Sequence, residues 1–75
     1  MNMNDIFEEQ FRIAQEKIDA TYVKIGHLYF QAVLDEDADL IHELYVQRDR
    51  LAACQKDLDN ARKFYAEHKA EIACS

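Results

Sequence analysis

The chain has 75 residues and a formal net charge of −6 at pH 7, with no proline and a single glycine. A chain of this length forms at most one domain, and it rarely buries enough apolar surface to be stable without a disulfide, a metal or a partner subunit. The negative charge disfavours nucleic acid as a partner, because phosphate backbones are bound by Lys and Arg. No segment reaches the roughly 18 apolar residues of a membrane span, and the first residues do not resemble a signal peptide, so we expect a cytoplasmic protein that does not bind membranes.

The first predicted element is one helix over about residues 5–34. Its apolar positions recur at alternating spacings of four and three, the pattern of a coiled-coil seam. These positions are Phe7, Phe11, Ala14, Ile18, Thr21, Ile25, Leu28 and Ala32. Asn2 or Asn4 is expected to cap the helix, because an Asn side chain accepts hydrogen bonds from the first backbone N–H groups.

An acidic segment from Asp35 to Asp39 interrupts the pattern and predicts a turn over about residues 35–38. Asp37 or Asp39 can cap a second helix over about residues 39–73. The predicted seam of this helix consists of Leu40, Leu44, Gln47, Leu51, Cys54, Leu58, Ala61, Tyr65, His68 and Ile72. Residues 1–75 are therefore predicted to form one all-α domain, an antiparallel two-helix coiled-coil hairpin.

The two seams also predict a register. A hairpin that is symmetric about residue 36 pairs positions whose numbers add up to 72, which places Phe7 opposite Tyr65 and Ile18 opposite Cys54. Charges beside the seam provide a second indication of the same register. The complementary pairs that it predicts are Glu8 with Arg62 or Lys69, and Lys17 with Asp57.

Several small or apolar residues near the turn are not needed for the seam and project to one side. They are Tyr22, Gly26, Tyr29, Val33, Ile41, Tyr45 and Ala52. A glycine inside a helix costs about 1 kcal/mol relative to alanine unless another group must approach its backbone closely. We interpret this set as a protein-interaction face on which a second hairpin docks to form a four-helix bundle. In the alternative interpretation, the tyrosines fold over the seam and leave an ordinary amphipathic surface.

Other apolar residues point away from this face. Val23 and Phe30 lie further round the first helix, while Ile6, Ile13 and Phe64 form a smaller patch on the opposite side. Both sets are candidates for contacts with a different partner.

The sequence contains no recognisable reactive site. Cys54 and Cys74 lie about 30 Å apart along one helix and cannot form a disulfide within one chain, so Cys54 is expected to be a core residue. Asp39-x-x-His42 is only distantly related to the Glu-x-x-His pairs of di-metal bundles. His68 is expected to lie on the seam near the open end beside Asn4, in a hydrogen-bonded structural role. With no nucleophile and base pair, no zinc spacing and no phosphate loop, the chain is predicted not to be an enzyme and to bind no metal or cofactor.

The run Ile18-x3-Tyr22-x2-Ile25-Gly26-x-Leu28-Tyr29-Phe30 resembles the first-helix pattern of small bacterial zinc-ribbon proteins. In that family a helical hairpin precedes a Cys-x-x-Cys ribbon. The resemblance covers about residues 11–74 and implies the hairpin portion of that fold. Cys74 is the only cysteine of residues 1–75 at the place where such a ribbon begins, so the resemblance implies no zinc site in these residues.

These observations predict a noncatalytic, self-associating helical interaction or scaffold protein that forms a homodimer. The alternative is a small acidic chaperone or inhibitor that binds the helix of a client protein on the same apolar face. RNA binding by a hairpin dimer is a third class, and the negative charge disfavours it.

Overall fold

The structure, a computed structural model, describes the backbone of residues 3–73 and the side chains as far as residue 71. Two helices, α1 (Met3–Leu34) and α2 (Ala38–Ala73), pack against each other as a hairpin of 56 × 19 × 11 Å. The predicted all-α two-helix hairpin is confirmed. The helices begin slightly earlier than expected, so that Ala38 belongs to α2 and not to the turn. Within the described residues, neither helix has an apolar stretch long enough to cross a membrane.

The start of α1 differs from the prediction. Asn4 lies inside the first turn of the helix and does not cap it. Its side-chain oxygen instead accepts a hydrogen bond of 2.8 Å from the hydroxyl of Tyr65 on α2. The other predicted cap, Asn2, lies outside the described residues, as do the side chain of Ile72 and the whole of Cys74.

The turn combines a C-terminal motif that ends α1 with an N-cap that begins α2. The backbone N–H of Asp37 donates to the carbonyl of Ala32 at 3.0 Å, and that of Glu36 donates to Val33 at 3.2 Å. This pair of bonds is a Schellman motif, in which the residue after the helix C-cap has the left-handed conformation. Glu36 accordingly has a φ of 54°. The Asp37 carboxylate then accepts from the backbone N–H of Leu40 at 3.1 Å, which confirms Asp37 as an N-cap of α2.

We expect Glu36→Gly to raise the free energy of unfolding by about 1 kcal/mol, because the left-handed conformation is costly for any residue with a Cβ. Urea unfolding followed by circular dichroism measures this gain. Glu36→Ala is the matched control, since it removes the carboxylate but keeps the Cβ, and it should bring no comparable gain. An equal gain in both variants would assign the effect to charge and not to backbone conformation.

The core is small and contains only part of the predicted seam, because the seam positions Phe7, Thr21 and Leu28 of α1 are exposed. Among the described residues, the buried apolar side chains are Ile18, Ala32, Leu44 and Tyr65, and all four belong to the predicted seam. Tyr65 packs against the ring of Phe7 with 5.6 Å between ring centroids, as the register predicts.

The predicted seam is wrong in the middle of α2. Cys54 and Ala61 are exposed, while the next residues, Gln55 and Arg62, are partly buried. Gln15 of α1 accounts for this rotation. The Gln15 amide donates to Gln55 at 2.7 Å and accepts from it at 2.9 Å.

Arg62 extends this polar layer toward the open end of the hairpin. Its guanidinium donates to the Gln15 side-chain oxygen at 3.2 Å and to the carbonyl of Phe11 at 3.4 Å. Polar groups that are withdrawn from water require partners. Cysteine and alanine at this level of α2 would leave the Gln15 side chain with only its 3.0 Å bond to Asp19, whereas a glutamine and an arginine facing α1 give it further partners.

One predicted ion pair forms between the helices. Lys69 lies 3.7 Å from Glu8, and both side chains are more than half exposed, so the pair contributes only about 0 to 1 kcal/mol. The predicted pair of Lys17 with Asp57 is not among the ion pairs of the described residues.

Candidate functional site

A shallow apolar groove runs along one side of the hairpin close to the turn. It encloses about 360 Å³ and is lined by Tyr22, Ile25, Gly26, Tyr29, Leu44, Tyr45 and Arg48. We call it the tyrosine groove. The periodicity of α1 explains its position, because Tyr22, Gly26 and Tyr29 recur at spacings of four and three and therefore share one helix face.

Two tyrosines join the helices across the groove. The rings of Tyr29 and Tyr45 meet edge to face, with 5.8 Å between centroids, and their hydroxyl oxygens lie 3.4 Å apart. The guanidinium carbon of Arg48 lies 4.9 Å from the centroid of the Tyr45 ring. Aromatic rings in this geometry form rigid contact area with a polar tip, the combination that is enriched in protein interfaces.

The pKa of the Tyr29 hydroxyl is raised by its surroundings. The hydrogen bond to Tyr45 is the main cause that raises the pKa of Tyr29 above its ordinary value, and the nearby Tyr45 charge and partial burial act in the same direction. The positive charge of Arg48 opposes them. The groove therefore presents a neutral Tyr29 hydroxyl, which can both donate and accept a hydrogen bond.

Gly26 forms a depression in the groove wall. A Cβ placed on this residue would meet no heavy atom within 4 Å beyond its neighbours and its own helix backbone. Packing within the hairpin therefore does not require a glycine here, and the helical backbone does not require one either. The missing side chain leaves room for another chain to approach the α1 backbone closely.

The structure brings together only part of the predicted interaction face. Tyr22, Gly26, Tyr29 and Tyr45 line the tyrosine groove. The remaining members, Val33, Ile41 and Ala52, lie outside it, and among them Ile41 is partly buried.

The sequence did not lead us to predict Arg48 as part of the groove wall. The signal was present, because Arg48 follows Tyr45 by three residues and so lies on the same face of α2. Ile25 and Leu44 form the floor, and the sequence had assigned both to the seam.

A second concavity of about 380 Å³ lies at the open end and is lined by Glu8, Phe11, Arg12, Gln15, Glu16, Arg62 and Tyr65. Its charged side chains already have partners. Arg12 bonds to Glu9 and, at 2.6 Å, to Glu16, Glu8 lies 3.7 Å from Lys69, and Arg62 donates to Gln15 and Phe11. This concavity offers less apolar contact to a helix than the tyrosine groove does.

The reactive side chains of the described residues are scattered. No group of three or more His, Cys, Asp or Glu side chains is arranged to hold a metal within this part of the chain. His68 stacks on Phe64 at 4.1 Å and contacts the carbonyl of the same residue through Nδ1 at 2.9 Å. Asn4, the expected neighbour of His68, is bonded to Tyr65 instead.

Comparison of the chain with models of protein families, with curated proteins and with solved structures found no match. The resemblance of the Ile18 to Phe30 run to zinc-ribbon proteins therefore stays a hypothesis from the sequence. Function is inferred from the geometry of the tyrosine groove.

Proposed function

We propose that this chain is a noncatalytic interaction or scaffold protein that self-associates through the tyrosine groove into a homodimeric four-helix bundle. The observation that supports this proposal most is the open space over Gly26 between exposed tyrosines. A helix of a second copy fits such a depression, because a glycine lets two backbones approach closely. The tyrosines on either side would then pack against the partner.

The energetics of the isolated hairpin support the same proposal. Domains below roughly 70 to 80 residues rarely obtain more than about 3 to 5 kcal/mol from one core, and here the core is small. Many large apolar side chains are exposed instead: Met3, Ile6, Phe7, Tyr22, Val23, Leu28, Tyr29, Phe30, Val33, Leu34, Tyr45 and Phe64. Burying apolar surface contributes about 25 cal/mol per Å², so docking at the groove adds stability that the monomer lacks.

A twofold axis through the groove is the simplest arrangement. In such a dimer both copies use the same surface patch for the contact. Gly26 of each copy would lie near the crossing point, with Tyr29 and Tyr45 beside it.

Sedimentation equilibrium across micromolar concentrations, with a reducing agent present, tests this proposal. We expect a dimer mass for the native protein. Tyr29→Glu should weaken association by at least about tenfold, since it places a charge in an apolar contact, while helix content measured by circular dichroism is retained. Phe64→Glu is the matched control, because Phe64 is an aromatic residue that is 60% exposed and lies outside the groove; it should remain dimeric.

A native protein that is monomeric at every concentration would contradict self-association. It would favour the second candidate, a chaperone or inhibitor that receives a client helix in the same groove, because the groove between Gly26 and Tyr45 would then be free for another protein.

Gly26→Ala gives a second test with effects of opposite sign. Alanine stabilises a helix interior by up to about 1 kcal/mol relative to glycine, and the Cβ meets no atom in the hairpin. We expect the monomer, unfolded with urea at high dilution, to be more stable, while the dimer dissociates more readily. If Gly26→Ala raised both the stability of the monomer and the affinity of the dimer, Gly26 would lie outside the contact between copies.

A further inference from the structure

A closed hydrogen-bond network joins the middles of the two helices. The Gln15 side-chain nitrogen donates to the Gln55 oxygen at 2.7 Å and to Asp19 at 3.0 Å, so both of its N–H groups have acceptors. The Gln55 nitrogen likewise donates to Gln15 and to Asp59, each at 2.9 Å. The Gln15 oxygen accepts a second bond, from Arg62 at 3.2 Å. Both donors and both lone pairs of the Gln15 amide are therefore occupied, and we call Gln15, Gln55 and Arg62 the polar layer.

The apolar residues of α2 are compatible with two orientations of this helix against α1. Four side chains at a spacing of seven residues are buried or partly buried: Leu44, Leu51, Leu58 and Tyr65. The residues three positions after the two middle ones, Cys54 and Ala61, would complete an apolar face. The residues four positions after them, Gln55 and Arg62, complete the face that the structure shows. Neighbouring residues lie about 100° apart round a helix, so a rotation of α2 by about half that angle exchanges the two orientations.

The polar layer decides between these orientations. Apolar burial alone favours the other one, because it would cover Cys54 and Ala61 and return Gln55 to water. That rotation would break both amide bonds between Gln15 and Gln55. It would leave the partly buried Gln15 amide against apolar side chains with its bond to Asp19 alone, and polar groups that lose their partners away from water are costly. The network therefore holds α2 with Gln55 toward α1.

The orientation of α2 also determines the shape of the tyrosine groove. Arg48 comes seven residues before Gln55 and so lies on the same side of α2. Tyr45 lies beside Arg48, and both line the groove. A rotation that carries Gln55 out of contact with α1 carries Tyr45 and Arg48 in the same direction. It would separate the Tyr45 hydroxyl from that of Tyr29, which lies 3.4 Å away in the structure, and would remove one wall of the groove.

We propose that the polar layer positions the tyrosine groove, by holding α2 in the orientation that brings Tyr45 and Arg48 beside Tyr29. Gln15 is a positioning residue, because it acts through Gln55 and lies outside the groove. The effect on association rests on the proposed function. The orientation of α2 and the contact between the tyrosine rings do not, since both belong to a single hairpin.

The thiol of Cys54 reports the orientation of α2, because it is exposed in the structure and would face α1 in the other orientation. Its rate of alkylation by iodoacetamide, followed by mass spectrometry, is compared in chains that also contain Cys74→Ser. Gln15→Leu removes the partner of Gln55, so α2 should rotate and the rate should fall by about tenfold or more, as for a group that reacts only after local opening. Unfolding would not lower the rate, so a variant that merely loses stability is told apart by the sign of the change.

Two further variants serve as controls. Gln15→Leu/Gln55→Leu places two leucines where the amides meet, so apolar contact should keep the observed orientation and the rate should return to that of the native protein. Gln31→Leu makes the same substitution at an exposed residue whose side chain bonds only to Asp35, four positions further on, and it should leave the rate unchanged.

The groove has its own readout. Nuclear Overhauser effects between the rings of Tyr29 and Tyr45 should be present in the native protein and in Gln15→Leu/Gln55→Leu, and should be lost in Gln15→Leu. Sedimentation equilibrium should show weaker association in Gln15→Leu and native association in the double variant.

Three outcomes would overturn the proposal. An unchanged or higher alkylation rate in Gln15→Leu would mean that the polar layer only adds stability. Equal protection of Cys54 in Gln15→Leu and in the double variant would mean that the amide pair does not select the orientation. Protection of Cys54 with retained contact between the tyrosine rings would separate the orientation of α2 from the groove. If the native protein is monomeric but the rates and ring contacts follow the expected order, the polar layer is supported and only self-association is contradicted.

Discussion

Leu44→Asp is expected to unfold the hairpin. Leu44 is only 5% exposed and forms part of the floor beneath the tyrosine groove. A carboxylate at this position would have to be buried without a partner or would force the helices apart, and such substitutions cost several kcal/mol. The core of a domain of this size contributes about 3 to 5 kcal/mol to the free energy of unfolding. The variant should therefore be completely unfolded. Circular dichroism should record a collapse of helix content in the variant.

Cys54→Asp is the informative control for this variant. The apolar pattern of α2 places Cys54 in the seam, whereas the structure leaves it exposed. We therefore expect a change of at most about 0.5 kcal/mol in the free energy of unfolding, as for other exposed positions. A collapse like that of Leu44→Asp would mean that α2 turns Cys54 toward α1.

The hairpin could be predicted because several independent signals agree. The alternating spacing of Ile18 and its counterparts fixes a helix and its inner face, and the acidic break fixes the turn. Asp37 then supplies the cap that starts α2. Each signal is local, so each can be read without knowledge of the partner helix.

The phase of the middle of α2 could not be predicted in this way. Cys54 and Ala61 are more apolar than their neighbours Gln55 and Arg62, so a ranking by hydrophobicity selects the wrong pair. The deciding contact is the amide of Gln15, which lies on the other helix. A polar layer of this kind sets register through pairing, and a pairing partner is visible only once the helices are side by side.

The candidate site was predicted in part for a related reason. Helical spacing alone brings Tyr22, Gly26 and Tyr29 to one face, and it does so without reference to α2. Whether a residue lines a concavity depends also on the neighbouring helix, which is why Ala52 was included. Arg48 was missed because a pattern of apolar residues leaves out a charged side chain, although its spacing from Tyr45 places it on the same face.

Tyr65→Ala is expected to open the free end of the hairpin. The Tyr65 ring is buried against Phe7 and Phe11, each with 5.6 Å between centroids, and its hydroxyl donates to the side chain and the carbonyl of Asn4 at 2.8 and 3.3 Å. Truncating a buried aromatic side chain to alanine typically costs about 3 to 5 kcal/mol, which is most of the stability available here. Amide hydrogen exchange should show lost protection at the start of α1 and the end of α2 before the turn is affected.

Tyr65→Phe separates the ring from the hydroxyl. It keeps the aromatic contacts with Phe7 and Phe11 and removes only the bonds to Asn4. The free energy of unfolding should therefore fall far less than in Tyr65→Ala. Equal losses in the two variants would assign the stabilisation to the hydroxyl and not to the ring.

Tyr65→Phe should also change how the stability of the hairpin depends on pH. Burial is the main cause that raises the pKa of Tyr65 above its ordinary value, and the negative charge of Glu8 adds to it. The folded state therefore holds the phenol proton more tightly than the unfolded state, so this contribution to stability is complete below the ordinary tyrosine pKa of about 10 and is lost as the pH rises through the folded pKa. The urea midpoint of the native protein should fall between about pH 9 and 12, and Tyr65→Phe should reduce that fall. Some slope should persist, because the pKa of Tyr29 is raised as well; an unchanged slope in Tyr65→Phe would mean that the Tyr65 phenol titrates alike in both states.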